Sequence, residues 1–181
     1  STLPADQITQ TRYNDRGWVE RTIDAQGVRT NLDYNALGQR IATHSGLNAD
    51  GTSTLDDASR THSQTLNANG QVREETVGDQ HLKHHYDNNG LLTSTIILSD
   101  ETDQGERETR FFYDANGRLV FSLNANNELE EIRYNAFGEA IGTQVYAERL
   151  HDERIDLDGI QGGIASAALL QYLRGFRTDS D

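Results

Sequence analysis

The sequence predicts an all-β fold in which antiparallel β-hairpins join into an extended, curved sheet, with one short helix near the C-terminus. Three observations carry this expectation. A Tyr–Asx–x–x–Gly unit recurs along the chain, and the segments between units alternate with period two. Hydrophobic residues make up 34% of the 181 positions, where ordinary globular domains reach about 45–50%. A thin sheet needs fewer deep apolar positions than a globular core does.

The recurring unit reads YNDRG at Tyr13–Gly17, YNALG at Tyr34–Gly38 and YDNNG at Tyr86–Gly90. It returns as YDANG at Tyr113–Gly117, with Asp114 second, and as YNAFG at Tyr134–Gly138. A weakened copy, LNANG at Leu66–Gly70, replaces the aromatic by Leu. Successive copies start 21, 32, 20, 27 and 21 residues apart, a period near 20 with two insertions. The physics of the unit is local. An Asx side chain at the first turn position accepts a hydrogen bond from the backbone two residues on. The closing Gly takes the positive φ that leads back into a strand. Each Tyr stands just before a turn, where its ring can cover a strand end while its hydroxyl stays wet.

Secondary turns lie between these units: DAQG at Asp24–Gly27, NADG at Asn48–Gly51 and NANN at Asn124–Asn127. Val28, Thr30, Leu32 and Tyr34 then share one face, while Arg29, Asn31 and Asp33 occupy the other. Leu119, Phe121 and Leu123 alternate in the same way with Arg118, Val120 and Ser122. Such runs between turn signals are strands. Two stretches depart from the pattern. Gly46–Thr61 is small, polar and turn-rich and reads as a long loop or widened hairpin, and Ser99–Arg107 reads as a charged hairpin tip. The organisation is therefore a lead-in over 1–10, a repeat region over 11–146 and a non-repeat tail over 147–181. In the tail, helical spacing of Ile164, Ala167, Ala168 and Tyr172 predicts a helix over about 164–174 with Gly175 as its stop. That helix is positioned to cap the sheet.

Composition excludes several classes. Without Cys there is no disulfide framework and no thiolate site. No apolar run approaches the length that spans a bilayer. The opening STLPADQITQ carries neither a basic patch nor an apolar segment and does not read as a signal peptide. A net charge of −13 with no basic stripe argues against nucleic-acid binding. The missing initiator Met suggests a portion of a longer protein.

The Tyr-led copies, above all YDANGRLVFSL at Tyr113–Leu123 and YNALGQRIA at Tyr34–Ala42, resemble the YD repeats of RHS proteins. The resemblance covers about Arg12 to Tyr146. It implies a spiralling β-sheet that closes into a hollow shell. In bacterial toxins of this kind, including the B and C components of Tc toxins, the shell encloses a C-terminal toxin domain. In animal teneurins a similar shell carries surface adhesion. Complete bacterial shells end in an Asp-Pro motif with further aspartates that act in self-cleavage. Here the one proline is Pro4, so that motif is absent. The tail's Asp156, Asp158, Gly159, Gly162 and Gly163 are only loosely similar to such a region, and no protease role is transferred to them. With five or six repeats, the chain reads as a segment of a shell or a short module.

Other side-chain clusters favour structural readings. His81, His84 and His85 precede a Tyr turn on a strand, which sends His84 to the face opposite His81 and His85, so no metal site is expected. An EF-hand frame with Gly159 sixth places Arg154 and Ala165 at ligand positions, and it fails. Asp56-Asp57, Glu74-Glu75 and Glu130-Glu131 are strand neighbours that point apart, so they read as solvent-facing charge. Trp18 and the Tyr row could stack on sugars but more readily seal strand contacts. No cofactor is expected, and no enzyme activity is assigned to this chain. The expected function is that of a structural shell segment, and the alternative is a surface adhesion or carbohydrate-binding module. The implied partners are the remainder of the shell, an encapsulated toxin domain, and host-surface or secretion-apparatus contacts. The implied location is secreted or cell-surface. The residues that define the repeat are Tyr13, Gly17, Tyr34, Gly38, Gly70, Tyr86, Gly90, Tyr113, Asp114, Gly117, Tyr134 and Gly138.

Overall fold

The computed structural model describes residues 8–48, 50–52, 61–98, 106–146 and 161–175. The chain divides into two compact units, residues 1–82 and 83–181. The first contains β1 (Gln10–Tyr13), β2 (Val19–Ile23), β3 (Arg29–Tyr34), β4 (Arg40–Leu47), β5 (Thr61–Leu66) and β6 (Val72–Val77). Strand β7 (Gln80–Tyr86) carries the division. The second unit continues with β8 (Leu92–Leu98), β9 (Arg107–Tyr113), β10 (Leu119–Leu123), β11 (Leu129–Tyr134) and β12 (Ala140–Val145). A two-residue strand β13 (Gly163–Ile164) and helix α1 (Ala167–Gly175) complete it.

Consecutive strands from β1 to β6 and from β8 to β12 pair antiparallel, as the alternating pattern requires, whereas β13 pairs parallel with β9. The all-β class and the hairpin meander are therefore borne out. The Gly46–Thr61 segment differs from its expectation at both ends. Strand β4 runs on to Leu47, which is buried, and β5 begins at Thr61. A left-handed Gly46 (φ 73°) and a register shift against β3 let the strand bend without breaking its ladder. Residues 53–60 lie outside the described part, as does most of the expected tip at Ser99–Arg107, whose Arg107 already belongs to β9.

The two units share a backbone plan but differ in side chains. In the first, the cross-strand row Arg21, Asn31 and His44 is polar. In the second, Phe112, Phe121, Leu123 and Leu129 are buried together with Val120, Tyr146 and Leu173. Helix α1 supplies Leu173, and Leu169, Leu170 and Tyr172 pack around the same cluster. Composition had suggested a wall with little interior. Locally, however, a helix on a sheet builds a true core.

The helix begins at Ala167, later than the periodicity of Ile164 implied, because Gly163–Ile164 pairs with β9 instead. Ser166 caps it, with its Oγ accepting from Leu169 N at 3.1 Å. Glu131, read from sequence as solvent-facing, is 4% exposed. Its carboxylate accepts the Tyr146 hydroxyl at 2.8 Å and faces Arg174 Nε at 3.6 Å, so α1 and the end of the repeat region satisfy it. Leu173→Ala should leave a cavity under the helix and cost about 2–5 kcal/mol. Urea unfolding followed by far-UV circular dichroism measures this loss, and an unchanged midpoint would contradict the packing.

Candidate functional site

The feature that repeats most faithfully is the turn. In all six copies one Asx Oδ1 accepts two backbone N–H groups, from the residues two and four positions on. Asn14 binds Arg16 and Trp18, Asn35 binds Leu37 and Gln39, and Asn67 binds Asn69 and Gln71. Asp87, Asp114 and Asn135 do the same for Asn89 and Leu91, Asn116 and Arg118, and Phe137 and Glu139. The Asx carbonyl accepts the N–H of the closing glycine, at 2.9–3.1 Å. Gly17, Gly38, Gly70, Gly90, Gly117 and Gly138 all have φ between 75° and 83°. The ladder shifts register beside Tyr13, Tyr34, Leu66, Tyr113 and Tyr134, the signature of a glycine bulge closing a short loop. Asp24 and Asn124 head turns of the same design on the intervening connections.

The tyrosines do more than cover strand ends. Tyr34, Tyr113 and Tyr134 donate their hydroxyls to the carbonyls of Val19, Leu92 and Leu119 at 2.8–2.9 Å. Each acceptor is the first strand residue after the preceding Tyr-type turn. This corrects the expectation of wet hydroxyls, because the backbone at that point splays and the phenol spans the opening. Burial, with the nearby Asp87 and Tyr86, pushes the Tyr113 phenol above its ordinary pKa and keeps it a donor. In the weakened copy Leu66 has no hydroxyl, and Gln64 Nε2 reaches the equivalent Arg40 carbonyl at 2.7 Å. Tyr13 is exposed, and Tyr86 leads into the Asp87 turn.

A second regularity links one turn to the next. At four of the turns, the residue after the preceding turn glycine leans on the glycine of the following Tyr-type turn. A Cβ added at Gly38 would stand 2.7 Å from Trp18 Cζ2, and one at Gly70 would stand 2.8 Å from Gln39 Nε2. Leu91 approaches Gly117, and Arg118 approaches Gly138. Trp18 also packs on Tyr34, with ring centroids 5.4 Å apart, and the Arg16 guanidinium lies over the Trp18 ring at 5.3 Å. Arg118 lies over Tyr134 at 5.0 Å. Trp18 is therefore engaged by Tyr34, Arg16 and the Gly38 turn. The residue after the glycine was absent from the sequence-derived set, although its fixed offset from the turn was a usable signal.

The remaining candidates are dispersed. His81 meets Thr76, His84 meets Thr95 and His85 meets Ser94, each across a strand pair. Glu75 pairs with His62, and Glu74 lies 3.9 Å from Arg73. Asp56, Asp57, Asp156, Asp158 and Gly159 lie outside the described residues. Among the described residues no His, Asp or Glu group has metal-binding geometry, and no helix is long and apolar enough to cross a membrane. Asp114 is held as a carboxylate by its own turn. Burial opposes its ionisation, but the Arg118 amide, the Arg118 guanidinium and the Asn116 amide outweigh burial and lower its pKa.

These features define an antiparallel repeat sheet built from Asx–glycine turns. No family model matches the chain, and no curated protein sequence matches it. Solved structures do share the fold. The crystal structures of TcdB2-TccC3-Cdc42 and of TcdB2-TccC3 each align with a TM-score of 0.55 at 16% identity over 77% of this chain. The chain spans 8% of the length of those proteins. The likeness shows that the antiparallel fold expected from the Tyr-led repeats is shared with these structures.

Two outcomes follow from the turn chemistry. Gly17 and Gly38 share the left-handed conformation, but a Cβ at Gly17 meets open space. Gly17→Ala should cost about 1 kcal/mol from backbone strain alone, and Gly38→Ala should cost more because Trp18 must move, as thermal melting will show. For Asp114→Asn the turn bonds survive, as they do at Asn35, but the Arg118 ion pair is lost. Folding lowers the pKa of Asp114, so the carboxylate's contribution is fully present above the unfolded value. It is lost as pH falls through the folded value. The stability gap between wild type and Asp114→Asn should therefore be constant near neutrality and close below about pH 4. A gap that widens in acid would reject this assignment.

Proposed function

We propose that this chain is a non-enzymatic segment of an RHS-type shell whose sheet contributes to a wall around a C-terminal toxin domain in a secreted or cell-surface bacterial protein. The observation that carries the reading is the repeat itself. One turn design, one hydroxyl bridge and one turn-to-turn contact recur along the chain. The fold shared with TcdB2-TccC3 supports the same role.

The terminal strand is suited to continuation. β12 has β11 as its neighbour in the sheet. Its sequence, AIGTQV, carries no charge, and Ile141 and Val145 are 66% and 67% exposed. Edge strands that must stay single usually carry Lys, Pro or a protective bulge. An uncharged, apolar edge instead accepts another strand, here a further repeat of the wall.

The test is sedimentation of the purified chain beside Ile141→Lys/Val145→Lys. The chain should self-associate with rising concentration, and the charged pair should remain monomeric with an unchanged circular dichroism spectrum. A wild-type chain that stays monomeric at all concentrations would count against an edge built for continuation. A glycan array gives the complementary result: a wall segment binds no sugar selectively, whereas an adhesion module does.

A further inference from the structure

Besides β4–β5, which stops at Ala42↔Ser63 beside the Gln64 bridge, three Tyr-bridged strand pairs end at the same register and then splay. β2–β3 stop at Arg21↔Asn31, β8–β9 at Ser94↔Arg110 and β10–β11 at Phe121↔Glu131. In each pair the Tyr hydroxyl described above spans the mouth of the opening. The β8–β9 opening is filled. Gly163 and Ile164 pair parallel with Phe112 and Tyr113, and Ala165 N donates to Tyr113 O at 2.9 Å. Gly162 lies at the apex of this wedge. A Cβ there would collide with the Thr93 carbonyl oxygen and stand 2.8 Å from that of Phe111, so glycine is required for entry. Tyr113 keeps its bond to Leu92 with the segment in place, so the hydroxyl bridge and the inserted strand are compatible.

The β2–β3 opening has the same pairing register, and among the described residues no segment is inserted in it. Glu20 and Leu32 take the places of Thr93 and Phe111, and Asp33 and Tyr34 take those of Phe112 and Tyr113. These four residues line a cleft of about 530 Å³ that Trp18 also borders. Among the described residues no strand pairs with Leu32–Tyr34 on the β2 side. Beside the opening, Arg21 Nε is buried without a hydrogen-bond partner. The chain has one Gly162-Gly163 segment, and β9 holds it.

We propose that the β2–β3 opening is an acceptor slot for an extended, glycine-containing segment of another polypeptide, paired parallel to β3 through its backbone as Gly163–Ile164 pairs with β9. Recognition of this kind is strand addition: main-chain bonds supply affinity, and the narrow apex selects glycine. It reaches beyond the wall role, because a wall with such a slot grips a chain locally at a defined point.

Trp18 is the single tryptophan, so its fluorescence reports on this cleft alone. The experiment titrates the intact chain with a synthetic peptide of residues 160–166, IQGGIAS, and with IQVGIAS, in which valine replaces the apex glycine. Amide exchange across Leu32–Asn35 is followed in parallel. The glycine peptide should shift Trp18 emission saturably and slow exchange at these amides, and the valine peptide should bind at least about tenfold more weakly, about 1.4 kcal/mol. Equal binding of both peptides would overturn the proposal. So would the absence of both responses at millimolar peptide.

Discussion

An Asx oxygen that holds two backbone N–H groups is the interaction on which the sheet depends. It closes each turn within five residues, before any strand pairing can contribute, and it delivers the chain to a glycine in the left-handed region. The register shift beside each Tyr is a consequence, since the bulge admits one extra residue on one strand. Repeated six times, a local constraint becomes a long-range one, because each strand inherits its register from the turn before it. Asn and Asp both serve. Asp adds a charge that Arg118 exploits at one turn, whereas four of the six Tyr-type turns use Asn and avoid adding to a net charge of −13.

The missing glycine side chain has a second use. Because Gly38 and Gly70 have no Cβ, Trp18 and Gln39 can lie against the following turn. The contact tolerates chemically different residues, Trp, Gln, Leu and Arg, because it requires only reach and an empty surface below. That tolerance is a physical reason a repeat sheet can diverge to low identity while keeping its geometry. The two units diverge in just this way. Arg21 and Asn31 occupy cross-strand positions that Phe121 and Glu131 fill in the second unit, and only the second surface is apolar enough to bind a helix.

Helix α1 also explains a carboxylate that alternation alone misplaced. Glu131 and Glu130 are adjacent, and a two-sided strand sends one of them inward. With the Tyr146 hydroxyl and Arg174 beside it, the inward carboxylate is satisfied. Burying an unpartnered charge would be costly, so Glu131, Tyr146 and the helix end form one unit. The tail thus contributes twice: its glycine pair fills a backbone opening, and its helix covers the face beside it.

The sequence by itself determined the hairpins, their order and nearly every turn. Asx–x–x–Gly acts through contacts a few residues apart, and alternation assigns strand faces wherever turns bound them. Even Asn127, standing where a glycine would be expected, was legible as a turn and takes φ 61°. Tertiary structure alone decided three things: that the Tyr hydroxyls bridge splayed strands, that Ile164 joins Gly163 in a strand beside β9 rather than opening the helix, and that Glu131 is buried. Each of these depends on groups distant in sequence, backbone or side chain, being brought together. Periodicity states which way a side chain points, but it carries no information about what will cover it.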